Sequence, residues 1–331
     1  MPKKNKKIFL LLAGGTLLVD KDSRLIAVQS PDDIDFWLKQ MPELKILADV
    51  EPVFISGEDD FLSVNTWQKM AEAIQEKSGQ ADGFVVVART EQLLNTALAT
   101  GFLLQNFDKS LVFTSAQISG TDFLVKKEVI NKLKSKQGGL GLRSNLINAI
   151  QAADRVLPGP AIMFGTRLIA ATRALPVSND DKNIFASVDN SYWGKVDFGI
   201  SIKSGLARPS RALKIYKNLA ENILLLEDAP EINWSLRPEV LKNYQAIIVK
   251  LSGNYYLDKT KENILVSSHC PVVLYHSDLT GESKAGLVIG SCTWPVAVVK
   301  TMWAAANYPE PDDFKRVMQQ NIMGEFINSS L

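Results

Sequence analysis

The 331-residue chain has only two cysteines, Cys270 and Cys292, and two histidines, His269 and His276. Cysteines so few and so far apart, with no C-x-x-C spacing, exclude a disulfide framework and read as reduced thiols in a cytoplasmic protein. His269, Cys270 and His276 fit no zinc-ligand spacing and have no evident fourth ligand, so no metal site is expected. Charge of one sign is lacking too: 37 basic residues against 36 acidic ones leave a net charge of +1. That balance excludes a protein whose hold on nucleic acid rests on neutralising phosphates. No window supplies the ~18 uninterrupted apolar residues of a membrane span, so no membrane partner is expected. P-loop and Rossmann glycine fingerprints are missing, and no cofactor has sequence support. Neither an internal repeat nor a low-complexity tract occurs.

What is present is an ordinary globular composition, 46% hydrophobic and 22% charged. The length suits two domains of ~150 residues each, with enough chain to bury a large core. Lys3, Lys4, Lys6 and Lys7 ahead of Ile8 to Ala13 imitate a secretory signal, but Gly14 and Gly15 break the apolar run early. The segment reads as a buried first strand.

Short apolar runs alternate with helical patterns, the mark of an α/β fold with a mostly parallel sheet. Ile8 to Leu12, Gly83 to Val87, Leu111 to Thr114 and Pro160 to Phe164 read as strands. Thr66 to Gln75 reads as an amphipathic helix with Trp67, Met70, Ala71 and Ile74 on one face, and Gln92 to Leu104 and Asn145 to Ala153 read as helices. A basic stretch of weak periodicity from about Ser201 to Asn218 suits a linker between domains. Beyond it, Ala246 to Leu251, Val272 to Tyr275 and Gly286 to Ile289 read as strands, and Pro295 to Ala306 and Pro311 to Met323 as helices. The division is a larger domain over 1–205, a linker over 206–214 and a smaller domain over 215–331. Ligands of open parallel sheets bind beyond the carboxyl ends of strands. That rule selects Ala13 to Thr16, Ala88 to Glu91 and Ser115 to Gly120.

Two of these loops carry chemistry. Leu10-Leu-Leu-Ala-Gly-Gly-Thr16 is a strand entering paired glycines and a hydroxyl, where a ligand can approach the backbone and a threonine can serve as nucleophile if a base activates it. Asp82-Gly83 opens a strand that ends in Ala88-Arg89-Thr90-Glu91-Gln92. Thr90 is a natural helix N-cap there, and Glu91 suits the positive end of the helix dipole.

Together these segments resemble the L-asparaginase family, including its relatives that act on glutamine or on amidated tRNA. The family's "TGGTI" is matched by Ala13-Gly14-Gly15-Thr16-Leu17, and its "DG-x4-HGTDT" by Asp82-Gly83 and Ala88 to Gln92. Its "TGAQ" is matched by Thr114-Ser115-Ala116-Gln117, its "R-S-N-L-x-N-A" by Arg143 to Ala149, and its "G-x-R-L-x-x-G-T-R" hairpin by Gly165 to Arg173. Ser252-Gly253-Asn254, Thr293 to Trp303 and Asn321-Ile-Met-Gly-Glu325 extend the likeness over nearly the whole chain.

The resemblance implies a two-domain α/β asparaginase-type fold and hydrolysis of a side-chain amide to a carboxylate and ammonia, as in L-asparagine plus water to L-aspartate. Carried over by position, the catalytic candidates are Thr16, Thr90 and Glu91. The substrate-binding candidates are Gly15, Asp59, Arg89, Gln117 and Asn254, with Ser56 the alternative to Asp59. A small amino-acid-like ligand and a homo-oligomer, dimer or tetramer, are implied in the same way.

Departures weigh against retained activity. Pro176 stands where the family keeps its catalytic lysine, and no tyrosine occurs before Tyr192 to supply the family's mobile phenol. Arg89 cannot replace the lysine as a base, because a guanidinium holds its proton at neutral pH. Asp59 would repel a substrate carboxylate. Three readings stay open: an amidohydrolase with a rearranged base, an inactive homologue that binds a small ligand, and a partner subunit.

Overall fold

In a computed structural model the described residues are 5–13, 16–19, 25–55, 63–115, 142–177, 183–197, 199–229, 232–252 and 257–327. They form two compact units, Met1–Lys214 and Ile215–Leu331. Residues 206–214 group with the first unit.

In the first unit the aliphatic runs become the middle of an eight-stranded sheet. Its strands are β1 (Lys7–Ala13), β2 (Asp49–Ile55), β3 (Gly83–Val87), β4 (Ser110–Thr114), β5 (Ala161–Phe164), β6 (Arg167–Ala170), β7 (Gly194–Val196) and β8 (Ile200–Ile202), in the order β8-β7-β6-β5-β4-β3-β1-β2. From β2 to β5 neighbours run parallel, whereas β6, β7 and β8 are added antiparallel. Central strands of a parallel sheet are covered on both faces, which is why Ile8 to Leu12 and Gly83 to Val87 are continuously apolar and fully buried. The Lys-rich start thus leads into a buried strand.

Among the described residues of this unit four helices are eight residues or longer: α1 (Pro31–Leu38), α2 (Val64–Lys77), α3 (Leu93–Leu103) and α4 (Leu142–Ala153). Ser63 caps α2 by accepting from the Thr66 N–H at 3.3 Å, and Trp67, Met70, Ala71 and Ile74 are all buried. Trp67 Nε1 then donates to Thr96 Oγ1 of α3 at 3.1 Å, so a polar bond locks two apolar helices together. Gly83, of the Asp82-Gly83 pair, has its Cα against the Ala153 carbonyl at the end of α4, where a Cβ has no room. The Asp82 carboxylate accepts the Lys7 N–H at 2.9 Å, tying the starts of β1 and β3. This motif therefore works at the end of β3 opposite Thr90.

The second unit contains β9 (Ile223–Glu227), β10 (Ala246–Lys250), β11 (Val272–Tyr275), β12 (Gly281–Ser283) and β13 (Gly286–Ile289), in the order β9-β10-β11-β13-β12. The first four are parallel and β12 returns antiparallel. Among the described residues of this unit three helices are eight residues or longer: α5 (Lys259–Val266), α6 (Trp294–Asn307) and α7 (Pro311–Met318). Helix α7 stops five residues short of the predicted end. The Glu325 carboxylate accepts the N–H groups of Ile322 and Met323, donors that a continuing helix would bond to its own carbonyls. Lys300 of α6 meets the same carboxylate at 2.7 Å, with both side chains at most 1% exposed.

Among the described residues no helix is long and apolar enough to cross a membrane.

Candidate functional site

Register sets the site. Leu12 of β1 lies beside Val87 of β3, and Val87 beside Thr114 of β4, so the three strands end level with one another. Thr16, Thr90 and Ser115 follow these ends, on the edge where parallel sheets place ligands.

Thr16 is 3% exposed, and its hydroxyl donates to the Ala13 carbonyl at 2.7 Å while its N–H donates to the same carbonyl at 3.2 Å. Its own carbonyl accepts from Val28 N at 2.9 Å. The hydroxyl is thus folded back on the turn that carries it.

Thr90 differs from its predicted place as a cap. Arg89 holds the N-cap position and Thr90 is the first residue of a 3-10 turn, Thr90–Gln92, that leads into α3. One residue beyond the cap, the Thr90 hydroxyl lies 2.8 Å from that of Ser115. Ser115 is 2% exposed, and its carbonyl accepts from Asn145 Nδ2 at 2.8 Å. Asn145 Oδ1 accepts the Gly165 N–H at 3.0 Å, and Thr114 Oγ1 donates to the Met163 carbonyl at 2.8 Å. Each neutral bond of this kind contributes about 1 kcal/mol, and a buried group left unpaired costs more. Arg89 is half-buried and Glu91 exposed on the same turn.

Gly15, Asp59, Ser56, Gln117 and Asn254 lie outside the described residues. Pro176 ends the short strand Ala174–Pro176, opposite Phe185 and exposed. In the second unit the Ser252 hydroxyl donates to Asp228 Oδ2 at 3.2 Å. Lys261 holds the other oxygen at 2.7 Å and the Ala229 carbonyl at 2.9 Å. The bond to Asp228 raises the Lys261 pKa above the ordinary lysine value despite burial. This pair fixes the residue that opens Ser252-Gly253-Asn254.

Among the described residues no group of three or more His, Cys, Asp or Glu is placed to hold a metal ion. Ser115 and Asn145 are the site residues that sequence reasoning did not assign. Both stand inside quoted motifs, Thr114-Ser115-Ala116-Gln117 and Arg143-Ser144-Asn145, which was the available signal.

Comparison with known proteins bears on the fold and on the first part of the chain. Residues 7–126 match the family described as asparaginase, N-terminal. A glutamyl-tRNA(Gln) amidotransferase subunit of Methanosarcina acetivorans is 25% identical over 98% of this chain and 80% of its own length. The corresponding amidotransferase subunit of Methanococcus maripaludis is 24% identical over 99% and 82%. The L-asparaginase of Thermococcus kodakarensis shares the fold with a TM-score of 0.74 at 20% identity, over 98% of this chain and 100% of that one. L-asparaginase I of Vibrio cholerae has the same TM-score at 21% identity, over 97% and 99%. Residues 7–126 thus carry the match to the asparaginase N-terminal family, and the chain as a whole has the α/β fold of the L-asparaginases.

Proposed function

We propose that this chain is a non-hydrolytic subunit of the asparaginase family that holds a small amino-acid-like ligand at the carboxyl edge of its first sheet and works with a protein partner. The observation that carries this reading is Pro176 at the family's lysine position, together with the backbone partner of the Thr16 hydroxyl. Amide hydrolysis through a threonine needs a group that takes the hydroxyl proton as the oxygen attacks. The Thr16 hydroxyl donates to a backbone carbonyl, and the Thr90 hydroxyl pairs with that of Ser115. A peptide carbonyl, the acceptor of the Thr16 hydroxyl, does not take up a proton at neutral pH. Pro176, at the family's lysine position, has nothing to titrate. Loss of one acid or base group costs 10²- to 10⁴-fold in rate, and the lysine and tyrosine are both missing. The relatives named as subunits of an amidotransferase support the partner half of the reading. A homo-oligomer, dimer or tetramer, is carried over from the resemblance.

The test is ammonia release from L-asparagine and L-glutamine by the wild type and by the Thr16→Ala, Thr90→Ala double variant. Equal release is expected. Release that vanishes in the double variant would restore the hydrolase, with Thr16 or Thr90 as nucleophile and Glu91 beside it.

A further inference from the structure

We propose a second binding site, at the amino end of the first sheet, for a small organic anion with an aliphatic body. It stands apart from the threonine edge and does not depend on the reading above.

Arg155, Val156, Ile200, Ile202, Lys203 and Leu206 line an open hollow of about 360 Å³. Helix α4 ends at Ala153, whose carbonyl lies against Gly83 at the start of β3. The Arg155 carbonyl then accepts the hydroxyl of Ser110, the first residue of β4. Thr90 and Ser115 follow the other ends of these two strands, so the length of the strands separates the two sites.

The wall of the hollow is apolar and its rim cationic. Ile200, Ile202 and Leu206 are half-buried and packed on the core, and Val156 is 39% exposed. Aliphatic surface left open in this way gains by meeting an apolar ligand. No acidic or aromatic side chain lines the hollow among the described residues. Without a ring to stack on, a nucleoside base has no purchase there, which points to an aliphatic body.

Arg155 and Lys203 come from different elements but are held alike. The Arg155 N–H donates to the Ala152 carbonyl at 3.0 Å, and the Lys203 N–H to the Trp193 carbonyl at 2.8 Å. Gly205 turns the chain just beyond Lys203 with a φ of +84°, which suits glycine, and the turn returns Leu206 to the same hollow. Among the described residues neither cation is in an ion pair. Two cations on pinned backbone beside an apolar wall match a ligand with one anionic head. Arginine offers a planar fork to carboxylate or phosphate oxygens, and lysine adds a point charge. The volume is at the small end for ligand pockets, so the body is short.

The experiment is calorimetric titration of the full chain with hexanoate and with hexyl phosphate, the two sources of such a head. Inorganic phosphate serves as the head alone and hexylamine as the body with its charge reversed. Both hexyl anions are expected to bind with a Kd of about 1–10 mM, and inorganic phosphate about tenfold more weakly or worse. The tighter of the two anions names the head. Arg155→Ala with Lys203→Ala should raise Kd about three- to thirtyfold, whereas Lys39→Ala with Lys45→Ala, exposed cations of the same unit outside the hollow, should leave it unchanged. Val156→Ser should weaken hexanoate and leave inorganic phosphate unaffected. Hexyl phosphate no tighter than inorganic phosphate, hexylamine as tight as hexanoate, an unchanged Kd in the Arg155 and Lys203 double variant, or no binding of either anion at about 20 mM would each overturn the site and leave the proposed function standing. A tetraglutamate peptide that binds more tightly than either hexyl anion would overturn it as well, making the hollow a dock for an acidic protein segment.

Discussion

A side chain's chemistry is set by what touches it, and two carboxylates show this as clearly as the threonines do. Asp228 is enclosed with Lys261 and Ser252, so its charge is answered on both oxygens. Asp189 is a partly exposed contrast. Burial opposes its ionisation, but the Ser187 and Ser191 hydroxyls, the Ser191 N–H and Arg173 outweigh burial and hold its pKa at about 2. The unfolded chain titrates near 3.9, so the folded state releases this proton first. The resulting stability is fully present above pH ~4 and is lost as pH falls toward ~2. A shift of this size is worth about 2 kcal/mol undiscounted. The carboxylate is 32% exposed, and screening reduces the figure to about 1 kcal/mol. Urea unfolding of Asp189→Asn should therefore show a loss of about 1 kcal/mol at pH 7 that shrinks to nothing near pH 2. A deficit independent of pH would mean that the side chain acts by shape. The Thr90–Ser115 contact, by contrast, leaves no trace in sequence spacing. Twenty-five residues separate the two, and only the register of β3 on β4 brings them together.

Elements were legible in proportion to how much they bury. Ile8 to Leu12 and Gly83 to Val87 declare themselves because central parallel strands are apolar throughout. Strand β2 does not, since Asp49, Glu51 and Pro52 interrupt its apolar residues. Its place at the sheet edge explains how it accepts a proline. Strands β7 and β8 are three residues each, too short for any period to show. Two substitutions test what holds elements together. Gly83→Ala should cost about 1–3 kcal/mol in urea unfolding, because the Ala153 carbonyl is backbone and cannot step aside. Gly79→Ala, facing open space, serves as the neutral control. The second test removes the clasp between α6 and the chain end. Burial pushes the Lys300 pKa down while Glu325 pulls it back, and the Gln320 carbonyl takes a further proton of the ammonium. Lys300→Met leaves a carboxylate buried without its counter-ion, at a cost of about 3–5 kcal/mol. Adding Glu325→Gln should recover part of that loss in the same assay, since Gln keeps an acceptor oxygen and carries no charge.

For the whole molecule, the near-zero net charge constrains what the chain binds, but its distribution is uneven. In the first unit Lys203, Arg208, Arg211 and Lys214 are all exposed within 203–214, a stretch without one acidic residue. Acidic residues elsewhere cancel this stretch in the total. Four such cations on four phosphates would give a log–log salt slope of about −3.6, hence a fall of about 10²-fold in affinity between 50 and 200 mM salt. Fluorescence anisotropy with a labelled duplex oligonucleotide should accordingly show no more than weak, non-specific association at 50 mM and none that saturates at 200 mM, as the overall charge balance requires, with a shallower slope for Arg208→Ala with Arg211→Ala. Binding that survives 200 mM salt and ignores those two arginines would require contacts beyond counter-ion release. The charge balance would then be a poor guide to partners, and a groove specific for nucleic acid would have to be sought away from this stretch.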